Sequence, residues 1–136
     1  MHRISPDRRK RQRGSALVES GLTMIVFMTV IFGLMEFGRM VWAYNLVSHA
    51  AREGTRYALV HGRNSSHPAT AEDITSVVTR QAVGLDPASL QVNVSWIPDN
   101  KPGSSVKVAL RYTFSSVTSF VGSGTLSSNS QVIISQ

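Results

Sequence analysis

Between Glu19 and Glu36 the chain carries no charged side chain, and residues 20–35 read SGLTMIVFMTVIFGLM. A run of that length and character has two stable settings: a helix buried on all sides by protein, or a helix in a bilayer. As a helix it rises about 24 Å against a hydrocarbon core of about 30 Å, so neighbouring turns must contribute. Leu17 and Val18 before it and Phe37 after it do so, which places a span at about residues 17–37. A chain of 136 residues leaves little protein to surround such a helix completely, and the run predicts a membrane anchor.

The formal charge of +6 and pI near 10.5 would fit a nucleic-acid binder if the charge were evenly spread. It is not. Residues 1–14 hold Arg3, Arg8, Arg9, Lys10, Arg11 and Arg13 against Asp7, a net of +5, which leaves +1 for the rest. A nucleic-acid surface needs its cations on a folded element, so no nucleic-acid partner is expected. A cation block beside a span stays cytoplasmic, which puts the N-terminus inside and everything beyond about residue 38 outside. A secretory signal peptide has a similar outline. Here, however, the apolar run is longer than a usual signal core, and Glu36, Phe37, Gly38 and Arg39 follow it directly. The small-x-small triplet Ser48-His49-Ala50 lies too far along for cleavage, and the segment is expected to stay attached.

The cation block closes on Gly14, the small residue Ser15 follows, and Glu19 sits a few residues into the apolar run. This arrangement resembles the class III signal of type IV pilin-like proteins. The resemblance implies that a prepilin peptidase cuts after Gly14 on the cytoplasmic side, making Ser15 the first and Glu19 the fifth mature residue. Farther on, RGSALVES and then FGLMEFGRMVWAYNLVSHAAREGTRYA (residues 32–58) are similar to the TadE-like pseudopilins of tight-adherence (Flp) pilus systems. The likeness is detailed over about the first 60 residues. Ser20 departs from it, standing where the family usually has an aromatic. The resemblance implies a minor pilin in the bacterial inner membrane, with other pilin subunits and the inner-membrane assembly platform as partners. The length fits a minor component, because the major pilins of these systems are much shorter and lack a globular domain.

Glu19 also has a physical reading. A carboxylate in hydrocarbon costs several kcal/mol (about 2–4) unless it is paired, so such residues face a partner. Cleavage after Gly14 creates an α-ammonium on Ser15, about 6 Å away along the helix, and that amine or a neighbour's is the expected partner of Glu19.

Beyond the membrane the helical pattern runs on to about Val60 without a breaker, giving a stalk helix over 15–60. Phe37, Val41, Tyr44, Val47, Ala51 and Ala58 follow the spacing of one apolar face. Ala50, Gly54 and Ala58 repeat every four residues, a row that lets another helix approach closely and is assigned to subunit packing. Arg52 and Arg56 lie one turn apart, and His49 and Glu53 form an i,i+4 pair on what reads as a solvated or inter-subunit face.

Residues 61–136 read as a small extracytoplasmic α+β domain. HGRNSSHPAT is a loop by composition. Thr70 with Asp73 forms a capping box, and Ile74, Val77, Val78 and Ala82 predict a short amphipathic helix ending at Gly84. LDPAS turns the chain; Leu90, Val92, Val94 and Trp96 alternate with polar residues, and so do Val106, Val108, Leu110 and Tyr112 after the PDNKPG turn. This predicts an antiparallel hairpin with its apolar face on the upper half of the long helix. The Ser/Thr/Gly-rich stretch 115–130 reads as a loop around a weak strand at 117–121, and QVIIS (131–135) as a last strand. The chain has no cysteine, so burial against the stalk helix must supply the core that a disulfide would otherwise support.

Nothing in the residue pattern points to catalysis. His49, His61 and His67 lack metal-ligand spacing, no glycine-rich phosphate loop occurs, and Asp99-Asn100 reads as a turn rather than a calcium loop. Asn64 and Asn93 head glycosylation sequons that carry little meaning in a bacterial setting. No enzyme activity, cofactor or metal is expected. The alternative to a processed pilin is an unprocessed single-span protein whose external domain binds a ligand.

Overall fold

The computed structural model describes residues 6–118 and 122–135, with side chains from Gly14 onward. The architecture is α+β, in the order α1 (Pro6–Val60), α2 (Ala71–Gln81), a single 3-10 turn (Pro87–Ser89), then β1 (Leu90–Ile97), β2 (Ser105–Phe114) and β3 (Gly124–Ile133). The three strands form one antiparallel sheet in the order β1-β2-β3.

α1 is a continuous 55-residue helix. It runs from Pro6 to Val60, so the expected leader and stalk share one helix over the described residues. Proline is suited to a first helical turn, the Arg, Lys and Gln residues that follow are good helix formers, and Gly14 alone does not break the run. At the upper end the His61 ring stacks on Tyr57 at 4.1 Å between centroids, and its Nδ1 lies 2.9 Å from the Tyr57 carbonyl. The same carbonyl also accepts the His61 backbone N–H at 3.2 Å, so His61 closes the last turn of the helix.

The two halves of α1 live in different surroundings. Among the described residues nothing covers the apolar window in the lower half, and Leu22, Ile25, Val30 and Leu34 are all exposed. Among the described residues, this segment is not part of the core. The upper half is the wall of the core, with Ala43, Val47, Ala50, Ala51 and Ala58 buried. The predicted apolar face is corrected here, because Phe37, Val41 and Tyr44 point away from the domain while Glu36, Ala43 and Ala50 point into it. Apolar spacing alone could not separate the face meant for the domain from the one that continues the lipid-facing surface of the lower half.

Opposite this wall lie α2, through Ile74 and Val78, and β2, through Val106, Val108, Leu110, Tyr112 and Phe114. The hairpin register brings Val94 opposite Val108 and Trp96 opposite Val106, so the alternating residues of both strands share the inner face as expected. β3 is where the sequence reading fails. Residues 124–130, read as loop, are already paired with β2, and the strand ends at Ile133 rather than Ser135. Val117 and Thr118 lie in a bend and not in a strand, and residues 119–121 of the expected weak strand are outside the described residues. The inward positions of β3 are Leu126, Ser128, Ser130 and Val132, two of them serines, so no apolar alternation announced it. The serines fit because β3 faces the small-residue side of α1: the Ser130 hydroxyl lies 2.8 Å from that of Thr55, which also donates to the Ala51 and Arg52 carbonyls. The buried Thr55 hydroxyl, satisfied in this way, avoids the cost of a buried polar group without a partner.

Candidate functional site

Gly14, Ser15 and Glu19 all lie on exposed turns of α1. Among the described residues, and apart from its chain neighbours and its own helix backbone, nothing comes within 4 Å of where a Cβ on Gly14 would stand. Ser15 and Glu19 are four residues apart, hence on the same face one turn from each other. The Thr23 hydroxyl donates to the Glu19 carbonyl at 2.9 Å, and Glu19, Ser20, Thr23, Met24 and Phe27 line a shallow groove on the helix surface.

A second cluster lies at the upper edge of the charge-free run. Glu36 is only 3% exposed although it stands on the helix surface, because the segment after β2 folds over it. Its Oε1 accepts the Val117 backbone N–H at 3.0 Å, and both of its oxygens lie 3.3 Å from Arg39 Nη1. The Arg39 guanidinium stands 5.4 Å from the centre of the Phe114 ring, within cation–π range. One carboxylate therefore joins α1 to the end of β2 and the segment after it. In the sequence Glu36 marks the end of the apolar run and belongs to the segment that carries the resemblance, with no partner assigned to it. The i,i+3 spacing to Arg39 was visible there, but the amide that Glu36 holds is 81 residues away.

The row Ala50, Gly54 and Ala58, expected to receive a neighbouring subunit, is filled by the chain's own elements. A Cβ on Gly54 would stand 2.7 Å from Val78 Cγ2 and 3.5 Å from both Ile74 Cγ2 and Val108 Cγ1. The helix that approaches closely is α2 of the same chain. Glu53 has Arg56 as its ionic partner, at 3.7 Å, and not His49; both members of that pair are solvent-accessible.

Residues 14–56 match the family model of TadE-like proteins. The TadE-like segment thus takes in Gly14, Glu19, the whole apolar run, the Glu36–Arg39 pair and Gly54, while α2 and the sheet lie beyond it. TadE-like pilins are structural proteins rather than enzymes. No curated protein and no solved structure matches the chain.

Two carboxylates outside the membrane segment are held below the usual carboxylate range. The Thr70 hydroxyl, donating at 2.7 Å, and then the Thr70 backbone N–H lower Asp73. The Ser104 hydroxyl at 2.6 Å and then Lys101 lower Asp99. The first pair is the predicted capping box of α2, and the second closes the predicted turn between β1 and β2. Both act on the fold rather than on a substrate.

Proposed function

We propose that this chain is a minor pilin-like subunit of a tight-adherence (Flp-type) pilus, cut by a prepilin peptidase after Gly14 and anchored in the inner membrane until assembly. In this reading the cation block remains cytoplasmic and the α+β domain stands outside. The observation that carries the reading is a TadE-like segment that opens at Gly14 and continues as an exposed apolar helix with Glu19 one turn above Ser15. The role of Glu19 is to hold the α-ammonium of Ser15, its own or a neighbour's, and so to fix the axial register of subunits entering a filament. An ion pair fits because an unpaired carboxylate against hydrocarbon is costly; the alternative is a side chain that snorkels to the cytoplasmic headgroups.

N-terminal sequencing of the membrane form tests the cut: a chain beginning at Ser15 is expected, and one still beginning at Met1 overturns the proposal in favour of an unprocessed single-span binding protein. Glu19→Ala and Glu19→Gln test the carboxylate. Both leave Gly14 intact, so processing should continue while recovery of the subunit in sheared surface filaments falls sharply. The amide keeps the size of the side chain and loses the ion pair. Incorporation of both variants at the parent level would make Glu19 a bystander.

A further inference from the structure

Among the described residues, several apolar side chains at the lower end of the domain are largely exposed. Val117 is 77% exposed and Val83 is 73% exposed, and Phe37 and Trp42 are also open to the surroundings. Their height relative to the span follows from two contacts. The Val117 amide is bonded to Glu36, and a helical side chain leans toward the N-terminus, so this amide lies level with the last turn of the charge-free run. Gly84, in the left-handed region at φ +90°, carries α2's exit against Trp42: a Cβ there would stand 2.9 Å from Trp42 Cη2. Trp42 is six residues beyond Glu36, about 9 Å higher along the axis, and its ring leans back toward the span. The headgroup layer on one side of a bilayer is roughly 5–7 Å thick, so Trp42 and the adjoining Val83 come down to its outer edge.

We infer that the domain rests on the outer leaflet, with Val117 entering the acyl boundary and Trp42 with Val83 lying at headgroup level. The inference rests on the reading of α1 as a membrane span. Lipid is the occupant because Val117 is held at Glu36, at the end of the charge-free run, where the helix's own apolar side chains are exposed as well. Arg39, half-exposed and already paired with Glu36, is placed to reach headgroup phosphate, and tryptophan is a residue of the interface. Glu36 thereby has a positioning role, holding the segment after β2 down at the membrane while its own charge stays paired.

The absence of cysteine makes the test direct. Single spin labels are placed on the full chain in phospholipid vesicles at Val117→Cys, at Val30→Cys in mid-span, and at Lys107→Cys on the sheet. Collision with oxygen, which concentrates in lipid, is compared with collision with a water-soluble nickel chelate. The oxygen-to-chelate ratio at 117 is expected to be several-fold above that at 107 and to approach that at 30. A label at 30 open to chelate overturns the span itself. A label at 30 in lipid with 117 indistinguishable from 107 overturns only the docking. A label at 117 shielded from both probes means that a protein surface covers it, which also overturns the lipid assignment. Adding Glu36→Ala to the Val117→Cys chain should raise chelate collision at 117 toward the value at 107; no change would overturn the positioning role of Glu36.

Discussion

At Gly54 two effects of opposite sign meet, and their sizes decide the outcome of one methyl group. Alanine in a helix interior is favoured over glycine by about 1 kcal/mol. Against this, the added Cβ would stand 2.7 Å from Val78 Cγ2, a distance that real Cβ contacts essentially never show. Val78 is fully buried on α2, where a β-branched side chain has one strongly preferred rotamer and cannot swing aside. Overpacking of this kind costs about 1–3 kcal/mol, so Gly54→Ala should be net destabilising and Gly54→Leu more so. Thermal unfolding followed by circular dichroism checks it, and a raised Tm for Gly54→Ala would show that α2 can back away. Processing after Gly14 should be unchanged in both variants, since the two glycines lie at opposite ends of the TadE-like segment. The glycine's importance could be read from the four-residue repeat; its partner could not, because a row of small residues says that something comes close without saying which helix.

At the scale of elements, α2 shows how much a local signature fixes. Thr70 and Asp73 cap each other's backbone N–H groups, with Asp73 N–H donating to the Thr70 hydroxyl at 3.2 Å. Thr70→Ala removes the cap, and a fall in Tm of a few degrees is expected. The loss should depend on pH with a definite sign. The Asp73 carboxyl is held below its ordinary value of 3.8, so its contribution is present above about pH 4 and fades as pH falls through the lowered value in the folded chain. The gap in Tm between parent and Thr70→Ala should therefore be full at pH 7 and narrower below pH 4; a gap that widens in acid would contradict the bonding scheme. Such boxes, like the alternation of β1 and β2, are legible because every residue that makes them lies within a few positions. β3 was not legible, because its inner serines match Thr55 on α1, a contact between distant parts of the chain. The bond between Glu36 and the Val117 amide escaped for the same reason. On α1 the apolar periodicity was real but served two surroundings, and only the position of the sheet shows that Phe37, Val41 and Tyr44 belong to the outward side.

For the whole molecule, the boundary that matters for folding is not the one that composition draws. Sequence reading divides the chain at residue 60, between stalk and domain, while expecting the stalk to supply the domain's missing core, and the core is shared across that line. Ala43, Val47, Ala50, Ala51 and Ala58 come from α1, while Ile74, Val78, Val106, Val108 and Leu110 come from the part beyond it. A fragment of residues 61–136 would leave the inner face of the sheet and the apolar side of α2 open to water. Exposing apolar surface costs roughly 25 cal/mol per Å², and a chain of that size has no reserve to meet such a loss. That fragment should show no cooperative thermal transition and should bind a hydrophobic dye. A fragment of residues 36–136 keeps the wall, the Glu36 clamp and every core residue, and omits only the uncovered lower half. It should be soluble, show mixed helix and strand by circular dichroism, and unfold in one cooperative step. The two fragments together give the result its meaning. If 61–136 folds alone, the upper half of α1 is a passenger and the shared core is wrong. If 36–136 fails while the full chain in vesicles is folded, the domain depends on the bilayer beneath it as well as on the stalk.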